Sequence, residues 1–182
     1  MTANLYDIPV TTIDGRATTL REHAGKVLLI VNVASKCGLT PQYAALEKLH
    51  ETLSGRSFAV LGFPANDFAG QEPGSEAEIQ AFCTATYGVR FPMYAKIRVT
   101  GPDQHPLYRH LTMAAPDATG REAMEVSLRG YGLEPAAKPA VLWNFEKFLV
   151  DRHGRVVGRF APDTAPDAPA LLSAIEAEVA KA

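Results

Sequence analysis

Lys26-Val-Leu-Leu-Ile-Val-Asn-Val33 is the part of the chain that says most about its architecture. The run is apolar without alternation and rich in β-branched residues, which is typical of a strand that is buried on both faces. Cys37 follows it, and Thr40 and Pro41 then offer a helix cap and a first helical position. The pattern predicts a central, parallel-type strand that leads past a cysteine into a helix.

The order of strand and helix recurs further along the chain. The first helix is predicted to end near Gly55, after four apolar residues at helical spacing: Tyr43, Leu46, Leu49 and Leu53. A second strand is predicted at Phe58–Phe63, and a second helix from about Ser75 has an apolar face formed by Ile79, Phe82 and Cys83. This order indicates βαβ units.

Hairpin signals lie near both ends of the chain. An Asp-Gly turn within Ile13–Arg16 predicts an N-terminal β-hairpin. Val141–Val150 and Arg155–Phe160, on either side of a turn at Asp151–Gly154, are predicted to be antiparallel strands. A closing helix follows, and its predicted buried side consists of Leu171, Leu172, Ile175 and Val179.

Together these elements predict an α/β protein with a central mixed sheet flanked by helices and an N-terminal β-hairpin. We expect a single domain over residues 1–182. The segment 114–138 has three glycines and two prolines among many charges, and it is interpreted as an insertion or a long loop.

Composition and charge narrow the possible functions. A chain of 182 residues that is 47% hydrophobic can bury a core without a metal or a disulfide. The formal charge of −2 and the absence of a basic cluster argue against nucleic acid, and the five scattered histidines indicate no metal. No apolar run approaches about 20 residues, and Met1–Asp7 does not resemble a leader, so we expect no membrane span and a cytoplasmic location.

Cys37 lies where its sulfur is expected to meet free backbone N–H groups and the positive end of a helix dipole. This placement, with Lys36 adjacent, favours the thiolate that a nucleophilic or redox-active cysteine needs. Position alone also allows a buried structural cysteine, because cysteine is among the most commonly buried residue types.

Three separated segments carry a resemblance to a known family. Asn32-Val-Ala-Ser-Lys-Cys-Gly-Leu-Thr40 closely resembles the signature around the peroxidatic residue of glutathione peroxidases, with cysteine where some members carry selenocysteine. Leu61-Gly-Phe-Pro-Ala-Asn-Asp-Phe-Ala-Gly-Gln-Glu-Pro-Gly74 resembles the family's glutamine loop, and Trp143-Asn-Phe-Glu-Lys-Phe-Leu-Val150 is similar to its tryptophan-asparagine strand. The resemblance covers nearly the whole chain. It implies a thioredoxin-like fold and reduction of hydrogen peroxide and organic hydroperoxides.

The resemblance also implies a catalytic tetrad: Cys37, Gln71, Trp143 and Asn144. Amide and indole N–H groups can stabilise negative charge on the sulfur and on the departing alkoxide without adding a competing base. From the residues alone, the last three fit a loop residue, a core aromatic and a partner of backbone groups equally well.

Cys83 matches the resolving cysteine of family members that use thioredoxin, within a segment similar to Phe82-Cys-Thr-Ala-Thr-Tyr-Gly-Val-Arg-Phe-Pro92. The resemblance implies a disulfide with Cys37, thioredoxin as the external reductant, no bound cofactor and a monomer. The helix is expected to open, because a disulfide needs Cα atoms within about 7 Å. The apolar face of the helix equally allows Cys83 to be structural. Ala65 stands where many relatives carry a further cysteine, so Cys83 is the only candidate.

Several alternatives remain open from the sequence. A peroxide-sensing redox relay shares the first chemical step, and a one-cysteine peroxidase that uses glutathione needs no Cys83. A general thiol-disulfide oxidoreductase is disfavoured because Thr40, not cysteine, is the fourth residue counted from Cys37. A Cys-His hydrolase is disfavoured because no spacing brings a histidine to Cys37. Access for lipid hydroperoxides depends on segment 114–138.

Overall fold

A computed structural model describes residues 4–181 of the chain. The strands in this range are β1 (Pro9–Thr11), β2 (Ala17–Thr19), β3 (Val27–Val33), β4 (Phe58–Pro64), β5 (Lys147–Val150) and β6 (Val156–Phe160). The helices are α1 (Gln42–Leu53), α2 (Glu76–Tyr87), α3 (Pro106–Ala114), α4 (Arg121–Gly130) and α5 (Pro169–Val179). Residues 1–3 and 182 of the predicted domain lie outside the described range, and the single domain stays a prediction.

The central sheet has the strand order β4-β3-β5-β6. β3 is parallel to β4 and antiparallel to β5, and β5 is antiparallel to β6. Every residue of β3 and of β4 is buried. The prediction of a central strand covered on both faces is therefore confirmed, and the sheet is mixed.

Alternate residues of β3 enter two separate cores. Leu29 and Val31 pack on the face that is covered by α1 and α5, and Leu28 and Ile30 pack on the opposite face, which α3 and the N-terminal hairpin cover. This alternation follows from the two-residue period of a strand. Because β3 and β4 are parallel, their carboxyl ends meet at one edge of the sheet.

The N-terminal hairpin is confirmed as β1 paired antiparallel with β2. Its turn includes Gly15 at a φ of +92°, a left-handed conformation that glycine adopts without strain. The helix predicted from about Ser75 is α2, and the Ser75 side chain caps it by accepting a hydrogen bond from the Glu78 backbone N–H.

The predicted strand at Val141–Val150 is wrong in its first part, because β5 begins only at Lys147. Phe145 has a φ of +70°, which extended strands do not allow. Asn32 holds this turn: its carbonyl accepts from the Phe145 N–H at 2.6 Å, and its side-chain amide donates to the Trp143 carbonyl at 3.0 Å. Trp143 and Asn144 therefore lie on a loop that leads into the sheet.

The predicted start of the first helix is also wrong. α1 begins at Gln42, with Pro41 at its N-cap, and the Thr40 side chain does not cap it. The Thr40 hydroxyl instead donates to the Ala34 carbonyl at 2.8 Å and accepts from the Cys37 N–H at 2.9 Å. The residue that resembles a helix cap therefore fixes the loop around the cysteine.

Segment 114–138, interpreted as an insertion or loop, contains α4, and α3 precedes it. Met124 and Leu128 are buried in a small cluster with Leu142 and Ala161, against which Trp143 packs. Within residues 4–181, no helix has both the length and the apolar character needed to cross a membrane. The described part of the chain also contains no cluster of three or more His, Cys, Asp or Glu residues suited to a metal ion.

Candidate active site

Cys37 lies on the loop between β3 and α1, with 9% of its surface exposed. Its Sγ accepts a hydrogen bond from the Leu39 backbone N–H at 3.3 Å, and its own N–H donates to the Thr40 hydroxyl. The expected contact between the sulfur and a free backbone N–H is therefore present. The Thr40 hydroxyl also donates to the Ala34 carbonyl, and this bond connects the two ends of the loop.

Gln71 reaches the same edge of the sheet from the loop after β4. The Lys36 N–H donates to the Gln71 carbonyl at 3.0 Å, so the glutamine loop is hydrogen-bonded to the residue next to Cys37. Ala69 and Gly70 turn this loop with φ values of 55° and 61°. The two loops that follow the parallel strands are thus joined through the backbone.

Asn144 lies behind Gln71. It is fully buried, and its Nδ2 donates to Gln71 Oε1 at 2.8 Å. Because the glutamine oxygen is occupied in this way, the Gln71 Nε2 group remains free to donate into the cavity. Trp143, the preceding residue, packs on Phe68 with ring centroids 5.3 Å apart.

A cavity of about 520 Å³ opens onto the cysteine and is lined by Cys37, Gln71 and Trp143. This volume is within the range of about 300–1,000 Å³ that is typical of small-molecule sites. Its other wall is largely apolar and comes from α4 and the residues after it: Met124, Ser127, Leu128, Tyr131 and Leu133. The structure thus brings three of the four predicted tetrad residues to one cavity and bonds the fourth to one of them.

Cys83 is not among the residues that line this cavity. It is buried on α2 with 2% of its surface exposed, and both cysteines are free thiols. Burial raises the pKa of the Cys83 thiol, the neighbouring Tyr43 hydroxyl opposes that rise, and the Glu72 carboxylate adds to it. In this conformation Cys83 is a buried thiol whose ionisation is disfavoured.

α2 is held to the rest of the protein by few buried side chains. Ile79 and Cys83 are its buried residues, and Phe82 and Tyr87 are partly buried against the same core. Polar contacts join its N-terminal end to the following loop, where the Lys96 N–H donates to the Glu76 carboxylate at 3.2 Å. α2 is thus less deeply buried than β3, and elements with less buried surface open locally more readily.

Three buried ionisable side chains, Glu146, Lys147 and Arg159, lie next to the loop of Trp143 and Asn144. Burial lowers the pKa of Lys147 to about 7, although Asp163 and Glu146 raise it, and its Nζ donates to the Pro162 carbonyl at 2.8 Å. The Arg159 guanidinium pairs with Glu146 at 2.8 Å.

Arg159 also anchors the segment that carries α4. Its guanidinium donates to the Ala115 carbonyl at 2.8 Å and the Pro139 carbonyl at 2.9 Å. Arg121, at the start of α4, donates to the Ala136 carbonyl at 2.6 Å and pairs with Glu125 at 2.8 Å. These contacts fix α4 at the mouth of the cavity.

Sequence reasoning missed the roles of Asn32 and Thr40 and the wall from α4. The wall had a signal: Met124, Ser127, Leu128 and Tyr131 follow the i, i+3, i+4, i+7 spacing of one helix face. The hydrogen bonds of Asn32 had no such signal, because its partners Trp143 and Phe145 lie more than a hundred residues further along the chain. Those of Thr40 are local, but the sequence around it resembles a helix cap.

The chain is similar to known proteins over most of its length. A family model described as glutathione peroxidase matches residues 5–112. Thioredoxin/glutathione peroxidase BtuE of Escherichia coli is 52% identical over 174 residues, covering 94% of this chain and 95% of that protein. Hydroperoxy fatty acid reductase gpx1 of Synechocystis is 46% identical over 163 residues, covering 90% and 89%. The crystal structure of Trgpx in its apo form has a TM-score of 0.70 at 34% identity, covering 97% and 96%.

These likenesses make the chain a thiol peroxidase with a thioredoxin-like fold, which it shares with solved thiol:disulfide interchange proteins. Among such enzymes, it belongs to the glutathione peroxidase family. The predicted fold class, family and peroxidase activity are confirmed.

Proposed function

We propose that this enzyme reduces hydrogen peroxide and organic hydroperoxides through Cys37, that Cys83 then forms a disulfide with it, and that thioredoxin regenerates both thiols. The observation that carries the proposal is the meeting of Cys37, Gln71 and Trp143 at one cavity, with Asn144 bonded to Gln71. The electrons come from an external dithiol, so the proposal needs no bound cofactor or metal.

In the first step the Cys37 thiolate attacks the O–O bond. An S–O bond forms, the O–O bond breaks, and the leaving oxygen takes a proton and departs as water or an alcohol, which leaves a sulfenic acid. Negative charge moves from the sulfur to that oxygen. The Leu39 N–H stabilises the sulfur before attack, while the Gln71 amide and the Trp143 indole are the donors for the oxygen.

Asn144 acts in this proposal as a positioning residue. Its hydrogen bond to Gln71 Oε1 holds the glutamine so that the Nε2 donor remains available to the substrate. The loop that carries Asn144 is fixed in turn by the backbone and side-chain bonds of Asn32. A donor held in place before the reaction stabilises the transition state without reorganisation at the moment of attack.

In the second step Cys83 condenses with the sulfenic acid: an S–S bond forms and water is released. Both cysteines are buried and Cys83 does not line the cavity, so α2 must move before the sulfurs meet. The small buried surface of α2 supports this movement. Exchange with a dithiol then restores both thiols.

The charge of the cavity favours thioredoxin over glutathione as the reductant. Glutathione carries two carboxylates, but among the described residues that line the cavity none is Lys or Arg, and Asp163 is negative. A protein dithiol needs only an accessible disulfide, which opening of α2 supplies. We therefore propose thioredoxin as the partner. We further propose that the enzyme works as a monomer in the cytoplasm.

The decisive experiment follows NADPH consumption with hydrogen peroxide, comparing thioredoxin plus its reductase with glutathione plus its reductase. Wild type, Cys37→Ser and Cys83→Ser are the test proteins. We expect thioredoxin-dependent turnover that both substitutions abolish. Glutathione-dependent turnover that survives Cys83→Ser would contradict the two-cysteine cycle and make the enzyme a one-cysteine peroxidase, and stoichiometric oxidation without turnover would favour the redox relay.

A further inference from the structure

We propose that the face of α4 and the two residues beyond it form a binding wall for the alkyl chain of long-chain hydroperoxides, and so set the substrate preference of the enzyme. This inference rests on the proposed reaction at Cys37. It assigns a role to Met124, Leu128, Tyr131 and Leu133, which the chemical steps do not use.

The wall is continuous with the reacting sulfur. Met124, Ser127, Leu128 and Tyr131 lie on one face of the helix and its extension, and they line the same cavity as Cys37, Gln71 and Trp143. A hydroperoxide with its terminal oxygens at the sulfur must therefore place the rest of its molecule against α4. Hydrogen peroxide has no alkyl chain, so it makes no contact with the wall when it reacts at the sulfur.

The exposure of the wall points to a ligand rather than to core packing. Met124 and Leu128 anchor α4 and are buried, whereas Tyr131 is 84% exposed and Leu133 is 39% exposed at the cavity. Exposed apolar side chains grouped beside a reactive centre are typical of a binding surface. Covering them with a hydrocarbon chain removes apolar surface from water.

The charges near the cavity define which part of the substrate fits. Asp163 and Tyr131 are the ionisable groups that line it besides Cys37, and within residues 4–181 no basic side chain belongs to the lining. A carboxylate close to the hydroperoxide is therefore disfavoured. The structure fits an acyl chain that is oxidised far from its carboxylate, with the charged end in solvent.

Two variants on the same segment separate this role from a general effect of α4. In the double variant Tyr131→Ser/Leu133→Ser, two exposed side chains of the wall become polar, so the core is not disturbed. Val126→Ser is the matched control, because Val126 is 68% exposed on α4 and does not line the cavity.

The kinetic test compares 13-hydroperoxyoctadecadienoic acid with hydrogen peroxide. We expect the ratio of kcat/KM for the fatty acid hydroperoxide to that for hydrogen peroxide to fall about tenfold in the double variant, and to stay at the wild-type value in Val126→Ser. An unchanged ratio in the double variant, or an equal fall in Val126→Ser, would overturn the proposal.

A binding test does not depend on turnover. Trp143 is the single tryptophan and lines the cavity, so its fluorescence reports on occupancy when 13-hydroxyoctadecadienoic acid, the alcohol product, is titrated in. We expect saturable binding to wild type and Val126→Ser, weakened about tenfold in the double variant. Absence of saturation in wild type would overturn the proposal, as would sedimentation showing a wild-type dimer that the double variant no longer forms. Failure of hydrogen peroxide turnover alone would instead refute the proposed function.

Discussion

The loop that carries Cys37 and the helix that carries Cys83 hold their cysteines in different ways. The loop is fixed by hydrogen bonds from the Thr40 hydroxyl and the Lys36 N–H, whereas α2 has two fully buried side chains, one of which is Cys83 itself. One thiol therefore lies in a hydrogen-bonded loop and the other on a helix with little buried surface, an arrangement that suits the proposed roles of attacking and resolving cysteine.

Among changes to the hydrogen-bonded loops around Cys37, Gln71→Ala is expected to have the largest effect. Loss of the amide removes a donor to the leaving oxygen, so the rate constant for Cys37 oxidation should fall about a hundredfold. Stopped-flow Trp143 fluorescence after mixing with hydrogen peroxide measures that rate. Gln80→Ala, an exposed glutamine on α2, is the control and should react like wild type. A normal rate in Gln71→Ala would exclude Gln71 from the first step.

Thr40→Val, in the loop that carries Cys37, should have the next largest effect on stability and on the rate of Cys37 oxidation. The substitution leaves the buried Cys37 N–H and Ala34 carbonyl without their partner, which should lower the free energy of unfolding by about 2 kcal/mol and slow Cys37 oxidation about tenfold. Urea denaturation and stopped-flow kinetics measure the two effects. Thr84→Val, at an exposed position of α2, should change stability by no more than about 0.5 kcal/mol. Equal stabilities would show that the hydroxyl does not fix the loop.

A smaller and opposite effect is expected when α2 is loosened. Ala81→Gly, at an exposed position of that helix, costs about 1 kcal/mol of helix stability and should speed formation of the Cys37–Cys83 disulfide about fivefold. Quenched samples separated on non-reducing gels follow the disulfide. Ala44→Gly makes the same change at an exposed site of α1 and should not accelerate the step. Equal acceleration in both variants would mean that opening of α2 does not limit the reaction.

The smallest expected effect is a shift in pH dependence. Because burial raises the pKa of Cys83, its thiolate appears only above the range of an ordinary cysteine, so disulfide formation should accelerate as pH rises through that range. The same raised pKa stabilises the folded state while the thiol is protonated, and that contribution is lost as pH rises through the folded-state pKa.

The Ala81→Gly variant sharpens this test, because an opened helix exposes Cys83 to water. Its acceleration with pH should begin at a lower pH than in wild type, by a fraction of a unit. The measurement is the rate of disulfide formation at a series of pH values after one equivalent of peroxide. Identical profiles for the two proteins would show that the thiol reacts from its buried environment.

Much of the fold was predictable because its central strands are buried on both faces. The apolar run of β3 and the second apolar run at Phe58–Phe63 indicated parallel strands. The position of Cys37 after the first of these strands could also be recognised from the sequence. α4 was missed because its many charges and flanking glycines resemble a loop, and only Met124 and Leu128 give it buried apolar contacts. Ser127 and Tyr131 continue the same face along the cavity, so the helical spacing of these four residues was a signal that sequence reasoning missed.

The candidate site was predictable only in part from the residues themselves. Cys37 had a physical argument from position, but Gln71, Trp143 and Asn144 were identified through resemblance to the family. They meet through the folding of distant loops, and no local spacing joins them. The strand predicted through Trp143 was wrong because the positive φ of Phe145 is imposed by Asn32, from a strand more than a hundred residues away.

The guanidinium of Arg159 holds both ends of the segment that carries α4. It binds the Ala115 and Pro139 carbonyls, so both stems of the segment end at one buried side chain beside the sheet. The length between fixed stems can vary at small entropic cost, since loop closure depends only weakly on length. Under the proposed role of α4, a different insert between these two stems would change the preferred peroxide while the strands next to Cys37 keep their register.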